Sequence, residues 1–306
     1  MTKINTNAKH ICSRLQREGH SAFIVGGAVR DMIMNRQPKD WDIVTSAKPE
    51  EIKAICSDMR PIGVGESYGI VAVIFNDEQF EIATMRCDGD YSDGRRPDSV
   101  DFVDDIELDL SRRDFTINAI AWDPIRDIPI DPFCGGHDIA VNFISCVGNA
   151  ADRFNEDKLR ILRAYRFMAQ LGFDLDEEIV ETVKTMVVSS NVFNEISQER
   201  ITAELSKILI APNCVNTVVA MARDGILQQI IPEIQVQIEC EHESPWHQET
   251  WEGFGNTVFA HTLHVMDELS KSDDFQNADN EKKLVLMLSA LLHDVGKPAC
   301  KKIKEV

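Results

Sequence analysis

A glycine-rich turn and a pair of carboxylates lie close together in two stretches, residues 23–31 (FIVGGAVRD) and residues 39–45 (KDWDIVT). In a β-strand, successive side chains point to opposite faces, so Asp40 and Asp42 project from one face and Trp41 from the other. Carboxylate oxygens suit Mg²⁺, which needs few protein ligands when phosphate oxygens fill its remaining positions. The pair alone is a weak signal, because most Asp-x-Asp pairs are solvated loop residues.

The two glycines strengthen this interpretation. Residues 22–25 have the pattern of a short buried strand, and residues 29–34 that of the start of a helix. Gly26 and Gly27, between them, let the backbone approach a ligand and direct N–H groups toward anionic oxygens. The combination predicts metal-dependent chemistry on a phosphate.

Composition limits the class of protein. The chain has 306 residues, of which 27% are charged and 43% hydrophobic, as in a globular protein too long for one core. No apolar run approaches the roughly 20 residues of a membrane span, so we expect no membrane partner. Residues 1–9 do not resemble the start of a signal peptide. The eight cysteines form no Cys-x-x-Cys pair, so we expect reduced thiols in a cytoplasmic protein.

The net charge of −19 argues against a protein that coats nucleic acid non-specifically, because that binding mode depends on a broad cationic surface. A nucleic-acid substrate held by local cationic groups stays open. The candidate cations are Arg95, Arg96, Arg112, Arg113, Arg153, Lys158, Arg160, Arg163 and Arg166. Any one of them could instead belong to a solvated salt-bridge face, which is the commoner case.

The chain changes character near its midpoint. Strands are predicted at 23–25, 41–45, 69–75 and 80–85, and helices at 49–59 and 115–122. Past residue 152, apolar residues recur at helical spacing, with helices predicted near 176–187, 197–210, 213–223, 257–270 and 281–293. The predicted fold class is α+β: a head with a small mixed β-sheet, followed by an all-α C-terminal half.

Three polar segments interrupt these elements. Residues 88–101 are rich in Asp, Gly, Arg and Pro and predict a mobile loop. Residues 239–256 and 271–280 carry too few apolar side chains to predict packing.

Arginine stands next to aspartate at residues 110–121 (LSRRDFTINAIA), at the predicted head of a helix. The planar fork of Arg113 can hold phosphate oxygens, and the carboxylate of Asp114 can accept from a ribose hydroxyl. The two side chains could equally form an ordinary intramolecular ion pair.

A second Asp and Arg pair occurs at residues 156–160 (EDKLR), which the pattern predicts to open the first long helix. Asp157 and Arg160, three residues apart, would then lie on one helical face and could read the edge of a base. An ordinary ion pair on a helix surface is the alternative.

With these motifs the chain resembles the class II CCA-adding enzymes, in the tRNA nucleotidyltransferase/poly(A) polymerase family of the polymerase-β superfamily. Five matches occur in the family's order over about residues 20–210: GGAVRD with DWD, RRDFTINA, DPFCGGHDI, EDKLR and ERITAELSKIL. The resemblance implies a nucleotidyltransferase catalytic head at 1–140, a helical neck with a nucleotide-template motif at 141–210, and a helical body with the start of an HD-like domain at 211–306.

The resemblance also implies an activity: addition of CMP and AMP, without a template strand, to the 3′ acceptor end of tRNA, with CTP and ATP as substrates. Asp40 and Asp42 would be catalytic and hold two Mg²⁺ ions. Glu81 is either a third carboxylate near the metals or a solvent-facing strand residue. The candidate nucleotide-binding residues are Gly26, Gly27, Arg30, Arg113, Asp114, Asn118, Asp157, Arg160, Arg163 and Arg166. The loop that contains Arg95 and Arg96 resembles the family's flexible loop, which is linked to the switch from C to A addition.

A second candidate metal site lies near the C-terminal end. His261, His293 and Asp294 resemble an HD phosphohydrolase signature, and their ligand types suit a divalent transition metal. That signature normally includes a further Asp downstream, and the sequence stops at Val306. Helix-capping or core histidines explain the same residues.

Four alternative functions stay open. The nearest is a poly(A) polymerase, but bacterial members usually carry Gly-Arg-Arg-Phe before a His-Val strand. Residues 61–71 read PIGVGESYGIV here, which favours the CCA-adding enzyme. The others are an enzyme that adds only CC or only A, an HD metal-dependent phosphohydrolase with a nucleotide-sensing head, and a catalytically silent RNA-binding module.

Overall fold

The structure is a computed structural model, and it describes residues 3–65, 68–89, 91, 94, 97–241 and 250–300. The chain divides into two compact units, Met1–Asp157 and Lys158–Val306. The finer division into head, neck and body stays a prediction.

The first unit is built on a mixed sheet. Its strands are β1 (Ala22–Val25), β2 (Asp42–Thr45), β3 (Ile62–Gly65), β4 (Ile70–Phe75), β5 (Glu78–Thr84), β6 (Arg86–Asp88), β7 (Val100–Phe102), β8 (Ala121–Asp123), β9 (Ile128–Ile130) and β10 (Phe143–Ile144). Seven of them form one sheet in the order β3-β4-β5-β2-β1-β8-β9. Strand β2 runs parallel to β5, and the other pairs in this sheet are antiparallel. The sheet confirms the predicted α+β class.

The helices of this unit are short. They are α1 (Thr6–Arg17), α2 (Gly27–Ile33), α3 (Pro49–Ile55), α4 (Ile106–Ser111), α5 (Gly135–Val141) and α6 (Ala150–Glu156), with 3₁₀ turns at Ser57–Met59 and Thr116–Asn118. The predicted strands at 23–25, 41–45, 69–75 and 80–85 correspond to β1, β2, β4 and β5.

A small apolar core fixes the end of the sheet at which β1 leads into α2. Val25 of β1 and Val44 of β2 pack in one buried cluster with Leu110 of α4. Val25 immediately precedes Gly26, and Val44 lies two residues beyond Asp42 on the same face of β2. The glycine turn and the acidic end of β2 therefore lie at the edge of this apolar core.

The predicted helix at 115–122 is wrong. The chain forms the 3₁₀ turn Thr116–Asn118 and then strand β8, in which Ala121 pairs with Val25. Short apolar runs that are buried on all sides fit a central strand as well as a buried helix, so periodicity alone does not separate the two. Arg112 is the C-cap of α4, so the arginines follow a helix rather than begin one.

The second unit is almost entirely helical. Its helices are α7 (Leu159–Leu171), α8 (Glu177–Ser189), α9 (Gln198–Leu209), α10 (Cys214–Arg223), α11 (Ile226–Ile230), α12 (Glu233–Glu239), α13 (Val258–Lys271), α14 (Asp273–Gln276), α15 (Asn280–Leu292) and α16 (Lys297–Cys300). The five predicted helices correspond to α8, α9, α10, α13 and α15. The two-residue strand β11 (Asp174–Leu175) departs from the predicted all-α half. No helix in the described part of the chain is long and apolar enough to cross a membrane.

Two of the predicted polar breaks pack through single aromatic residues. Phe275 of α14 is buried, and so is Phe254 in the other break, although residues 242–249 lie outside the described residues. The prediction that neither break packs is therefore wrong. In the first unit, β6 and β7 pair across the predicted loop, with Asp88 opposite Val100. The loop residues Arg95 and Arg96 lie outside the described part.

Candidate active site

The acidic residues of the first motif meet a third carboxylate on the next strand. Asp42, the first residue of β2, lies directly opposite Glu81 of β5. Asp40, Asp42 and Glu81 are exposed, whereas Trp41 is buried, so the residues follow the alternation that the sequence predicts. Strand pairing thus places Glu81 beside the acidic pair.

The glycine turn closes over the same strand end. Gly26 has φ +70°, and a Cβ built on it would lie 3.4 Å from Nη1 of Arg113 and 3.7 Å from Oδ2 of Asp42. A Cβ on Gly27 would lie 3.6 Å from Nη2 of Arg30. Any side chain at position 26 would therefore enter the space between the Arg113 guanidinium and the Asp42 carboxylate.

Electrostatics at this edge favour a bound cation. The pKa of Asp42 lies above its usual value, because neighbouring atoms desolvate the carboxyl and Glu81 repels its negative charge. Arg113 partly offsets this repulsion, and Asp40 adds to it. Carboxylates that repel one another on one exposed face are a donor set that a hard divalent cation would neutralise, so these residues fit Mg²⁺.

Arg30 and Asn118 lie together behind the turn. Nη1 of Arg30 donates to Oδ1 of Asn118 at 2.9 Å, and its Nε and Nη2 donate to Asp31 at 2.9 and 2.8 Å. These bonds tie α2 to the 3₁₀ turn Thr116–Asn118. The structure therefore brings two predicted nucleotide-binding residues together, in contact with each other.

Sequence reasoning missed Asp109, which holds both arginines of the RRDFTINA motif. Its Oδ1 accepts from Nη2 of Arg112 at 2.6 Å, and its Oδ2 accepts from Nη2 of Arg113 at 3.0 Å. Burial opposes ionisation of this carboxyl, but the charges of Arg113 and Arg112 outweigh it and lower the Asp109 pKa below its usual value. The i, i+3 and i+4 spacing of the three residues was the available signal.

Hydrogen bonds and the close approach of a glycine hold Asp114 and the turn that follows it. Asp114 is 8% exposed, and its carboxylate accepts from the N–H of Phe115 at 2.9 Å. A Cβ on Gly135 would overlap the carbonyl oxygen of Thr116, so α5 can approach the turn only with glycine there. Asp131 accepts from the N–H groups of Gly135 and Gly136, both at 2.8 Å, which explains the DPFCGG pattern.

Comparisons with known proteins identify the family of this chain. Residues 22–145 match the family model described as "Poly A polymerase head domain", and residues 172–238 match "Probable RNA and SrmB- binding site of polymerase A". A CCA-adding enzyme of Geobacillus thermodenitrificans is 44% identical over 71% of this chain and 52% of the relative. The chain belongs to the family of class II CCA-adding enzymes and poly(A) polymerases. The resemblance inferred from the motifs is thereby confirmed.

Two further family members match over more of the chain. A CCA-adding enzyme of Geobacillus stearothermophilus is 39% identical over 84% of this chain and 63% of the relative. The crystal structure of a Bacillus stearothermophilus CCA-adding enzyme in complex with CTP superposes with a TM-score of 0.68 at 27% identity, over 98% of this chain and 83% of that one. The chain spans 52% and 63% of the lengths of the two Geobacillus relatives.

The EDKLR motif of this chain, residues 156–160, is not one continuous helix. Helix α6 ends at Glu156, Asp157 is extended (φ −149°, ψ 104°), and α7 begins at Leu159. The prediction that Asp157 and Arg160 share one helical face is therefore wrong. The reason is that α7 begins only at Leu159. Asp157 therefore belongs to the link between α6 and α7 rather than to the first turn of α7.

Arg163 and Arg166 lie on α7 close to Phe167. The Cζ atoms of the two arginines lie 5.9 and 4.3 Å from the centre of the Phe167 ring. Arg166 also forms an ion pair with Glu204 of α9, with its Nε 2.7 Å from Oε2. The side chains of Arg166 and Glu204 are 14% and 8% exposed. The contact joins α7 to α9 through a nearly buried ion pair, which gives Glu204 a structural role.

The second candidate metal site of this chain combines residues from α13 and from the end of α15. His261 lies on α13, and His293 and Asp294 follow α15; their ligand atoms all lie within 4.8 Å of one another. Nδ1 of His293 lies 2.8 Å from the carbonyl oxygen of Ala290, and donation there leaves Nε2 as the metal-binding nitrogen. Lys297 donates to Oδ2 of Asp294 at 3.0 Å, so an ammonium group competes for the same carboxylate.

The charges around Asp294 suit a ligand that stays ionised. Partial burial works to raise the pKa of Asp294, but the hydrogen bond from Lys297 and the nearby His293 lower it below the usual value. A His₂Asp set with remaining open positions fits a divalent transition metal.

Proposed function

We propose that this protein adds CMP and AMP to the 3′ end of tRNA without a template strand. The proposal rests mainly on one observation: Asp42 lies opposite Glu81 at the strand end where Gly26 and Arg113 also converge. This edge combines carboxylates for metal ions with a glycine turn and a guanidinium for phosphate oxygens. The names of the relatives, which are CCA-adding enzymes, support the same substrates.

Asp40 and Asp42 would hold two Mg²⁺ ions, with Glu81 as a third carboxylate beside them. Bound there, the ions would activate the 3′-hydroxyl of tRNA and neutralise the leaving pyrophosphate. The amides of Gly26 and Gly27 would orient the triphosphate together with Arg113. Phosphoryl transfer requires mainly positioning and charge stabilisation, so no nucleophilic side chain is needed.

Selection of the nucleotide would depend on hydrogen bonding. Asp114 would accept from a ribose hydroxyl, and Asp157 with Arg160 would present an acceptor and donors to the base. Cytosine and adenine would satisfy these groups, whereas guanine and uracil would leave buried polar groups unpaired, which is costly. Arg30 and Asn118 would brace the glycine turn. Arg163 and Arg166, on α7, would contribute to nucleotide binding, as the family motif implies.

The activity assay uses tRNA that lacks its last three nucleotides, with CTP, ATP and Mg²⁺. We expect addition of C, C and A and then arrest. A long run of A would instead identify a poly(A) polymerase, and arrest after CC or failure to add C would identify a partial enzyme. No addition by the wild type, with full addition by a CCA-adding enzyme assayed in parallel, would contradict the proposal.

We also propose that His261, His293 and Asp294 bind one divalent transition metal. The observation that favours this is the convergence of three ligand atoms, from two histidines and one aspartate, within 4.8 Å of one another. Hydrolysis of a 2′,3′-cyclic phosphate by the metal-loaded protein would test a phosphohydrolase activity there. We place the protein in the cytoplasm, where its eight free thiols would stay reduced.

A further inference from the structure

Asp109 is a buried carboxylate with several charged partners. Among the described residues it is the one Asp or Glu with 0% exposure. Its Oδ1 accepts from Nε and Nη2 of Arg112 at 3.1 and 2.6 Å and from the N–H of Arg86 at 3.3 Å. Its Oδ2 accepts from Nη2 of Arg113 at 3.0 Å. A buried charge of this kind is tolerated only when it is paired and fully hydrogen-bonded.

The two arginines that share Asp109 differ in their other partners. Arg112 has a second carboxylate, Asp88, at 3.5 Å, and Asp88 also pairs with Nε of Arg86 at 2.9 Å. Among the described residues, Asp109 is the carboxylate that forms an ion pair with Arg113. Arg112 is thus neutralised within the unit, whereas Arg113 keeps one edge of its guanidinium for another anion.

The other edge of the Arg113 guanidinium faces the candidate active site. Nη2 of Arg113 is held by Asp109, and Nη1, the other amino group, lies 3.4 Å from the position of a Cβ on Gly26. A guanidinium is planar, so fixing one amino group and the plane also fixes the direction of the other. A free arginine side chain would lose this orientation to rotamer entropy.

We propose that Asp109 is a positioning residue that orients Arg113 toward the triphosphate of the incoming nucleotide. This inference rests on the proposed nucleotidyl transfer and adds a residue that does not itself touch the substrate. Because CTP and ATP share the triphosphate, Asp109 affects both substrates equally and leaves base selection unchanged.

The test compares steady-state kinetics of Asp109→Asn and wild type. We expect KM for CTP and for ATP to rise by the same factor, about 10-fold, with kcat nearly unchanged, as for loss of an interaction made equally in ground and transition state. Asp123→Asn is the matched control. Asp123 is a buried carboxylate of the same unit that accepts from the N–H groups of Ile125 and Arg126, at 2.9 and 3.1 Å. Its replacement by Asn should leave KM for both nucleotides unchanged.

A double-mutant cycle separates positioning from a role in folding alone. In an Arg113→Gln background, Asp109→Asn should cause no further rise in KM, because the side chain that it orients is gone. An equal rise in both backgrounds overturns the proposal, and so does a lower kcat with unchanged KM, which would indicate a smaller folded fraction.

A second variant protects the test against misfolding. Asp109→Glu keeps the charge that the arginines need but moves the carboxylate, so it should fold and still raise KM for both nucleotides. Unchanged KM values in folded Asp109→Glu overturn the proposal. Failure of the proposed function is separate, because wild type and Asp123→Asn would then both fail to add nucleotides.

Discussion

Asp42 and Glu81 lie directly opposite each other on the parallel strands β2 and β5, with both side chains exposed. Like charges in facing positions destabilise a sheet, and here desolvation and, after it, repulsion by Glu81 raise the pKa of Asp42. The protein tolerates this repulsion at the strand end where the glycine turn and Arg113 converge. A metal-binding role would explain why this electrostatic cost occurs at a predicted catalytic position.

Asp42→Ala should abolish nucleotide addition and leave the fold intact. Asp42→Asn should do the same and should also raise the Tm of the metal-free protein at pH 7, because it removes a repelled charge. A raised folded-state pKa means that ionised Asp42 opposes folding, so this gain should vanish as the pH falls below the ordinary Asp pKa. Extension assays and circular dichroism melts at pH 7 and pH 3.5 provide the test. Full nucleotide incorporation by Asp42→Ala would remove this residue from the mechanism.

Glu81→Gln should raise the Mg²⁺ concentration needed for half-maximal activity, by roughly 10-fold as for loss of a group beside a metal. The measurement is a Mg²⁺ titration of CMP addition at saturating CTP. Glu78→Gln, on the same strand, is the control, because Glu78 accepts from Asn7 at 2.8 Å, away from the acidic edge. Identical Mg²⁺ requirements for Glu81→Gln and wild type would make Glu81 an ordinary solvent-facing residue.

Gly26→Ala should impair both stability and substrate binding. Its positive φ costs a non-glycine residue about 1–3 kcal/mol, and the new methyl group would lie 3.4 Å from Nη1 of Arg113. Gly19→Ala is the matched control, since Gly19 has φ +93° with no atom within 4 Å of the added Cβ. We expect both variants to lower the Tm but only Gly26→Ala to raise KM for CTP and ATP. Equal KM values in the two variants would show that position 26 matters through backbone strain alone.

The acidic edge could be predicted from sequence because its geometry is local. The alternation of exposed and buried side chains over residues 40–42 is predicted, although β2 begins at Asp42, and a glycine pair between a strand and a helix predicts the turn. Glu81 required one further step, the pairing of two strands. Asp109 required more: its i, i+3 and i+4 spacing to two arginines also occurs on many solvated helices, and its complete burial follows from packing that the sequence does not display.

Helix boundaries were the weak part of the prediction. Residues 150–160 contain neither Gly nor Pro, so the sequence does not mark the end of α6 at Glu156. The apolar run at 117–122 is short and buried on all sides, a case in which strand and helix patterns coincide. Residues 271–280 were predicted not to pack, but one aromatic residue, Phe275, is enough to pack the four-residue helix α14.

Metal binding at the histidine pair can be measured without an enzyme assay. Titration with Co²⁺ or Zn²⁺ should reveal one site, which His261→Ala removes and His264→Ala retains. His264 is the control because it lies on the same helix but packs its ring edge-to-face on Trp251. Lys297→Met should tighten binding, since the ammonium group no longer occupies Asp294. Affinity should fall as the pH drops, because protons compete with the metal for the ligand atoms. Equal binding by His261→Ala and wild type would rule out the site.

The ion pair between Arg166 and Glu204 distinguishes a structural from a nucleotide-binding role. Arg166→Met should lower stability by about 3 kcal/mol, because it leaves the nearly buried Glu204 carboxylate paired, among the described residues, with the exposed Lys207 alone. The double variant Arg166→Met/Glu204→Leu should recover most of that loss in urea unfolding, since no uncompensated charge remains. If the recovered double variant shows wild-type KM for CTP and ATP, Arg166 acts in packing α7 against α9. If its KM stays raised by 10-fold or more, the arginine contacts the nucleotide as the family motif implies.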